Sequence, residues 1–93
     1  MDIKQTGSMV DVSGVIKTVN DSQLLVSAIK DAARNGSVVV RINDSFSLPS
    51  TVIGELLKLK DSGSAITIEV HDQILYELLD DLNLVSKFNV KLI

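Results

Sequence analysis

Apolar positions along this chain recur with two different periods, and the switches between them mark out the elements. Residues 1–5 alternate weakly, Thr6-Gly7-Ser8 is a turn signal, and residues 9–12 read as a second strand that Gly14 interrupts and Val15-Ile16 continue. The period then lengthens. Leu24, Leu25, Ala28, Ile29, Ala32 and Ala33 follow helical spacing and form one apolar stripe. Asn20 with Gln23 three residues later has capping-box spacing, and Asp21 lies at the positive end of the helix dipole. Arg34 in the last turn and Asn35-Gly36 after it give the stop.

The β-branched run Val38-Val39-Val40-Arg41-Ile42 shows little alternation, which predicts a central strand covered on both faces. A polar loop separates it from Pro49, read as the first residue of a second helix. Val52, Ile53, Leu56 and Leu57 form that helix's buried stripe, Lys60 adds its aliphatic stem, and Ser62-Gly63 ends it. Ala65–Val70 alternates as a strand. Asp72 is the N-cap of a third helix carrying Ile74, Leu75, Leu78, Leu79 and Leu82 inward, and Asn83 takes the left-handed conformation that stops it. Residues 88–93 are a last strand, with Phe88, Val90 and Leu92 on one face.

The resulting order, β(β)–α–β–α–β–α–β, predicts an α/β layered domain with a mostly parallel sheet of four to five strands and three to four helices. Strands joined by helices require crossovers, and the N-terminal hairpin adds an antiparallel edge. No linker-like or low-complexity segment divides the sequence, so residues 1–93 read as one domain.

Composition narrows the function. The chain is 45% hydrophobic, which argues against disorder, and the apolar residues are mainly aliphatic. The aromatic residues are Phe46, Tyr76 and Phe88 and the net charge is −3, so neither clustered cations nor stacking platforms for nucleic acid are expected. The absence of Cys removes disulfides, thiolate metal sites and a Cys nucleophile. No apolar run reaches the roughly 18 residues of a membrane span. Residues 1–12 lack the layout of a signal peptide. A soluble cytoplasmic domain without membrane insertion is the expectation.

The search for catalytic or cofactor chemistry is short. The glycines at 7, 14, 36, 54 and 63 form no phosphate-binding loop. His71 is the single histidine and supplies no two-histidine metal motif; beside Asp72 it reads as a surface residue at a helix start, or alternatively as a base or lone ligand. Asp80 and Asp81 are neighbours on a helix and diverge by about 100°. They read as a solvated face, as do Asp21 with Asp31 and the Lys58, Lys60, Asp61 cluster. No Ser lies in a G-x-S-x-G elbow. We therefore expect a non-catalytic protein with no cofactor and no metal.

The stretch from Asp44 to Gly54, DSFSLPSTVIG, is the most informative. It places hydroxyls at Ser45, Ser47, Ser50 and Thr51 between a strand and a helix start. N–H groups at a helix start receive anions, so a phosphate on Ser50 or Thr51 would suit the dipole while adding about two negative charges to the surface. The plainer alternative is that both hydroxyls satisfy N–H groups of the first turn.

Nearly the whole chain resembles the STAS family, the fold of bacterial anti-sigma factor antagonists. Val12-Ser13-Gly14-Val15-Ile16 resembles the family's early strand, residues 21–36 its first helix, and residues 38–42 with 45–48 its central strand and following loop. Ser50-Thr51-Val52-Ile53-Gly54 falls where the family typically shows Ser-Ser-Gly-Leu-Gly, and ILYELLDDLNLVSKFNV resembles the closing helix, turn and strand. Pro49 stands in place of the Asp that usually precedes the phosphorylated Ser, Val52 in place of the next Gly, and Arg41 where the central strand often has Asp. The second helix looks about one turn short.

The resemblance implies a regulatory protein-binding module that partners a serine kinase of the anti-sigma type in a partner-switching circuit controlling transcription. Ser50 matches the phosphoacceptor, with Thr51 beside it. The loop Asp44, Ser45, Phe46, Ser47, Leu48 and the helix face Thr51, Glu55, Lys58 would form the contact. Stand-alone STAS-like proteins also resemble accessory subunits of ABC-type lipid transporters, which bind the ATPase and need no phosphorylation. A third reading, a small α/β hydrolase or ligand-binding enzyme, requires Ser45, Ser50 and His71 to converge at the strand C-terminal ends. Partner identity and oligomeric state are open at this level.

Overall fold

The structure, a computed structural model, describes residues 1–93. Its elements are β1 (Asp2–Thr6), β2 (Met9–Ser13), α1 (Val19–Ala32), β3 (Ser37–Ile42), α2 (Ser50–Asp61), β4 (Ala65–Val70), α3 (Gln73–Asp81) and β5 (Val90–Leu92). The five strands lie in the order β1-β2-β3-β4-β5. β1 pairs antiparallel with β2, and every later pairing is parallel. This is the layered α/β arrangement that the alternating periods predict.

Because each crossover steps to the next strand in the same direction, the helices share one face of the sheet. The side chains divide accordingly. Val10 and Val12, then Val38, Val40 and Ile42, then Ile66, Ile68 and Val70 are buried toward the helices. Leu25 and Ile29 of α1, Val52 and Leu56 of α2, and Leu75 and Leu79 of α3 cover them. Each large aliphatic side chain so buried contributes about 1.5–3 kcal/mol.

The other face of the sheet is uncovered, which corrects the expectation for residues 38–42. Val38, Val40 and Ile42 are buried, whereas Val39 and Arg41 are half-buried and point the opposite way. Three consecutive valines reflect the preference of β-branched residues for strands, not coverage of both faces. The register places Lys4, Asp11, Arg41, Glu69 and Lys91 opposite one another in a single row across all five strands. The open face thus carries a ladder of alternating sign, and solvated charge replaces a second helical layer.

Local signals account for most element ends and for four further corrections. α1 begins two residues earlier than Asn20–Gln23 spacing suggests. Thr18 is its N-cap, with its Oγ1 accepting from Asp21 N–H at 3.0 Å and the Asp21 carboxylate accepting from Thr18 N–H at 3.3 Å. Pro49 is the N-cap of α2, not its first helical residue. β2 ends at Ser13 because Gly14 takes φ +86°, so Val15 and Ile16 do not continue it. β5 starts only at Val90; Phe88 is fully buried in the turn before it, and Asn89 takes φ +49°.

Other boundaries match their signals. Asp72 caps α3 by accepting from Ile74 and Leu75 N–H, Asn83 takes φ +59° after it, and Gly36 takes φ +92° beyond α1 and the short 3₁₀ turn that follows it. The apolar stripes are narrower than the spacing suggests. Leu24, Ile74, Leu78 and Leu82 are exposed, as is Lys60.

Candidate functional site

The C-terminal ends of the parallel strands carry the loop from Asn43 to Pro49. Open α/β sheets place their functional loops at this end. The loop is stapled to the turn after β2 by side chains and backbone together. Asn43 N–H donates to the Val12 carbonyl at 3.0 Å, and Asn43 Nδ2 donates to the same carbonyl at 2.9 Å and to Asp11 Oδ1. Asp44 Oδ2 accepts from Gly14 N–H at 2.7 Å. Ser45 Oγ accepts from Ile16 N–H at 3.4 Å and donates to the Ser47 carbonyl at 2.8 Å.

These bonds sort the expected contact residues into two groups. Ser45 is fully buried and Leu48 is 5% exposed within the core. Both hold the loop in shape and offer a partner no surface, which corrects their assignment as contact residues. Asp44 and Phe46 face outward, with Phe46 54% exposed, and Ser47 is half-buried. The three aromatic side chains divide the same way, since Phe88 is buried, Tyr76 half-buried and Phe46 exposed.

Beyond Pro49, Ser50 and Thr51 open α2 and are both exposed. No side chain caps this helix. The N–H groups of Val52 and Ile53 return to the Pro49 carbonyl at 3.0 and 3.1 Å, leaving those of Ser50 and Thr51 to solvent. The first-turn hydroxyls therefore do not act as caps, in contrast with the plainer reading of their role. Farther along α2, Lys58 is exposed, while the Glu55 side chain is only 12% exposed and pairs with Lys30 of α1 at 3.6 Å. Glu55 is an inter-helix residue rather than part of α2's free face, because it precedes buried Leu56 on the side turned to α1.

The alternative triad is not assembled. The Ser45 hydroxyl is occupied by Ile16 and Ser47, and His71, exposed just beyond β4, uses its backbone N–H to extend the sheet to Ile42 at 3.2 Å. Neither Ser45 nor Ser50 is hydrogen-bonded to His71. No cavity opens on the surface, and no helix is long and apolar enough to cross a membrane.

Two features of this region were missed by sequence reasoning: the Asp44–Gly14 bond and the inward turn of Ser45. Both link segments about thirty positions apart, and no local spacing encodes them. An available signal for the loop was its own alternation, with Ser45 and Leu48 inward and Phe46 outward. No protein-family model matches this chain, and no curated protein matches it.

Proposed function

We propose that this chain is a non-catalytic protein-binding module of STAS-like fold, engaging its partner through the outer side of the 43–49 loop and the first turn of α2. The observation that carries this reading is the exposure of Phe46 on a loop fixed by buried hydrogen bonds. An aromatic side chain held rigidly in solvent supplies a large contact area at little entropic cost, which is the character of an interface anchor. Asp44, Ser50, Thr51 and Lys58 surround it in sequence with polar groups suited to an interface rim.

The uncapped start of α2 supports a switch at Ser50. A phosphoryl group there would meet free N–H groups and the positive end of the helix dipole, so the fold would tolerate it. The same group would place about two negative charges on the contact surface, where they repel an acidic partner and cost desolvation against any other. The resemblance assigns the partner as a serine kinase of the anti-sigma type.

The test combines such a kinase with ATP and this protein, followed by mass spectrometry of the Ser50 peptide and a binding titration. Phosphorylation at Ser50, loss of binding in Ser50→Asp and weakening by Phe46→Ala are the expected results. Binding unaffected by Phe46→Ala would refute the surface; an unmodified Ser50 peptide with binding unchanged in Ser50→Asp would refute the switch.

Pro49 supports a second reading. It occupies the N-cap of α2 in place of a side chain that accepts hydrogen bonds, and it removes the acidic residue that the resemblance expects before a phosphorylated Ser. A module freed from phosphorylation suits an accessory subunit of a transporter ATPase. Co-purification with an ATPase, insensitive to Ser50→Asp but lost in Phe46→Ala, distinguishes this reading from the first.

A further inference from the structure

The helical layer is unevenly packed. α1 and α2 lie against each other, but α2 and α3 make no comparable close approach. Which side chains line the gap follows from the screw of the helices, and two contacts calibrate it. Lys30 follows buried Ile29 and pairs with Glu55, which precedes buried Leu56. Asp31 precedes buried Ala32 and accepts from Gln5 Nε2 of β1 at 2.7 Å, on the opposite flank of α1. A residue just after a buried position therefore faces the next helix, and one just before it faces back.

By that rule Ile53 and Leu57, which follow Val52 and Leu56, face α3. Ile74 and Leu78, which precede Leu75 and Leu79, face α2. The four form an apolar cleft that the chain itself leaves unfilled: Ile74 is 65% exposed, Leu78 37%, and Leu82 at the lower end 50%. Isolated exposed apolar residues are ordinary, but a contiguous stripe at i, i+4 and i+8 along one helix flank marks a contact surface.

The rims of the cleft identify its occupant. Residues two positions past a buried one point outward, which puts Lys58 on the α2 rim and Glu77 and Asp81 on the α3 rim, all exposed. Lys60 adds to the basic side, and Asp61 closes the end of α2. One rim is basic and the other acidic, with an apolar floor between them. A two-fold axis running along the cleft sets α2 of one copy against α3 of another, so the basic rim meets the acidic rim twice and the apolar floors face each other. Such isologous self-complementarity is the signature of a symmetric homodimer.

We propose that this chain self-associates through the α2–α3 cleft, with a second copy of itself as the occupant. Neither Phe46 nor Ser50 takes part, so this surface stands or falls separately from the partner-binding loop.

Sedimentation equilibrium of the full chain up to about 1 mM is expected to show a monomer–dimer equilibrium. Ile74→Asp should weaken it by about tenfold or more without unfolding the protein, because the residue is exposed and an acidic group suits the first turn of α3. Circular dichroism checks the fold. Lys58→Glu and Glu77→Lys should each weaken association at low salt, and the double variant should recover it. A wild-type monomer at every concentration, a dimer indifferent to Ile74→Asp, or a double variant no tighter than the single ones would each overturn the proposal.

Discussion

Asp44 reaches back across the sheet to Gly14, its Oδ2 accepting the Gly14 backbone N–H at 2.7 Å. Gly14 sits at φ +86°, a conformation that aims its N–H toward the β3–α2 loop, and a Cβ at this position would lie 3.1 Å from the Cα of Met1. One loop is thus shaped by the backbone freedom of the other. Asp44→Ala should lose about 0.5–1.5 kcal/mol in urea denaturation, while Asp44→Asn, which keeps the acceptor, should lose less. Gly14→Ala should cost about 1–2 kcal/mol from the left-handed backbone alone.

Ser45 gives a sharper version of the same test. Its buried hydroxyl serves Ile16 N–H and the Ser47 carbonyl at once. Ser45→Ala leaves a buried N–H without an acceptor, and about 1–3 kcal/mol of stability should disappear. The corresponding loss for Ser47→Ala should be near zero, since the Ser47 backbone carbonyl, not its side chain, takes part. Equal losses in the two variants would show that the loop is not held by the Ser45 hydroxyl.

Those two residues also show where sequence reading stopped. The strands, the three helices and the caps at Asp72 and Asn83 were legible because they depend on neighbours within a few positions. The α1 cap was misplaced because Asn20–Gln23 and Thr18–Asp21 have the same spacing, and only the second pair sits where the chain turns from extended to helical. The roles of Ser45, Asp44 and Glu55 depend on partners 25 to 30 positions away, beyond any local pattern. The uncovered sheet face was hidden for another reason. Val39 is as apolar as its buried neighbours, and only the alternation of Arg41, Glu69 and Lys91 onto one row, visible once the register is known, reveals solvent there.

The Asp21 carboxylate is held below the usual carboxylate range, chiefly by the backbone N–H of Lys17, with that of Thr18 assisting. A lowered folded-state value means that the unfolded chain takes up the proton first as the solution is acidified. The cap therefore contributes fully at neutral pH and down to the ordinary carboxylate range, and its contribution fades as pH falls through the lowered folded value. Asp21→Asn should flatten this part of the stability–pH curve while changing little of its shape above it. Urea titrations of both proteins between neutral and acid pH provide the measurement, and parallel curves throughout would contradict the assignment.

Arg41 and Glu69 occupy the centre of the charge ladder. Arg41 donates through Nη2 at 2.9 Å and Nε at 3.0 Å to the same Glu69 oxygen, and the side chains are 36% and 20% exposed. A double-mutant cycle to Ala should give a coupling of about 0.5–1 kcal/mol, since the pair is partly shielded and lies in direct cross-strand register. Added salt should reduce it modestly. Reversing the pair separates a ladder from an isolated bridge. Arg41→Glu with Glu69→Arg keeps the bond in principle but sets an acidic group beside Asp11 and a basic one beside Lys91, since these are the register neighbours on either side. Like charges directly opposite one another destabilise a sheet. The reversed protein should therefore remain less stable than the wild type despite its intact pair, and adding Asp11→Lys and Lys91→Glu should restore the lost stability by regenerating the alternation. Full recovery in the reversed pair alone would reduce the ladder to one bridge with two bystanders.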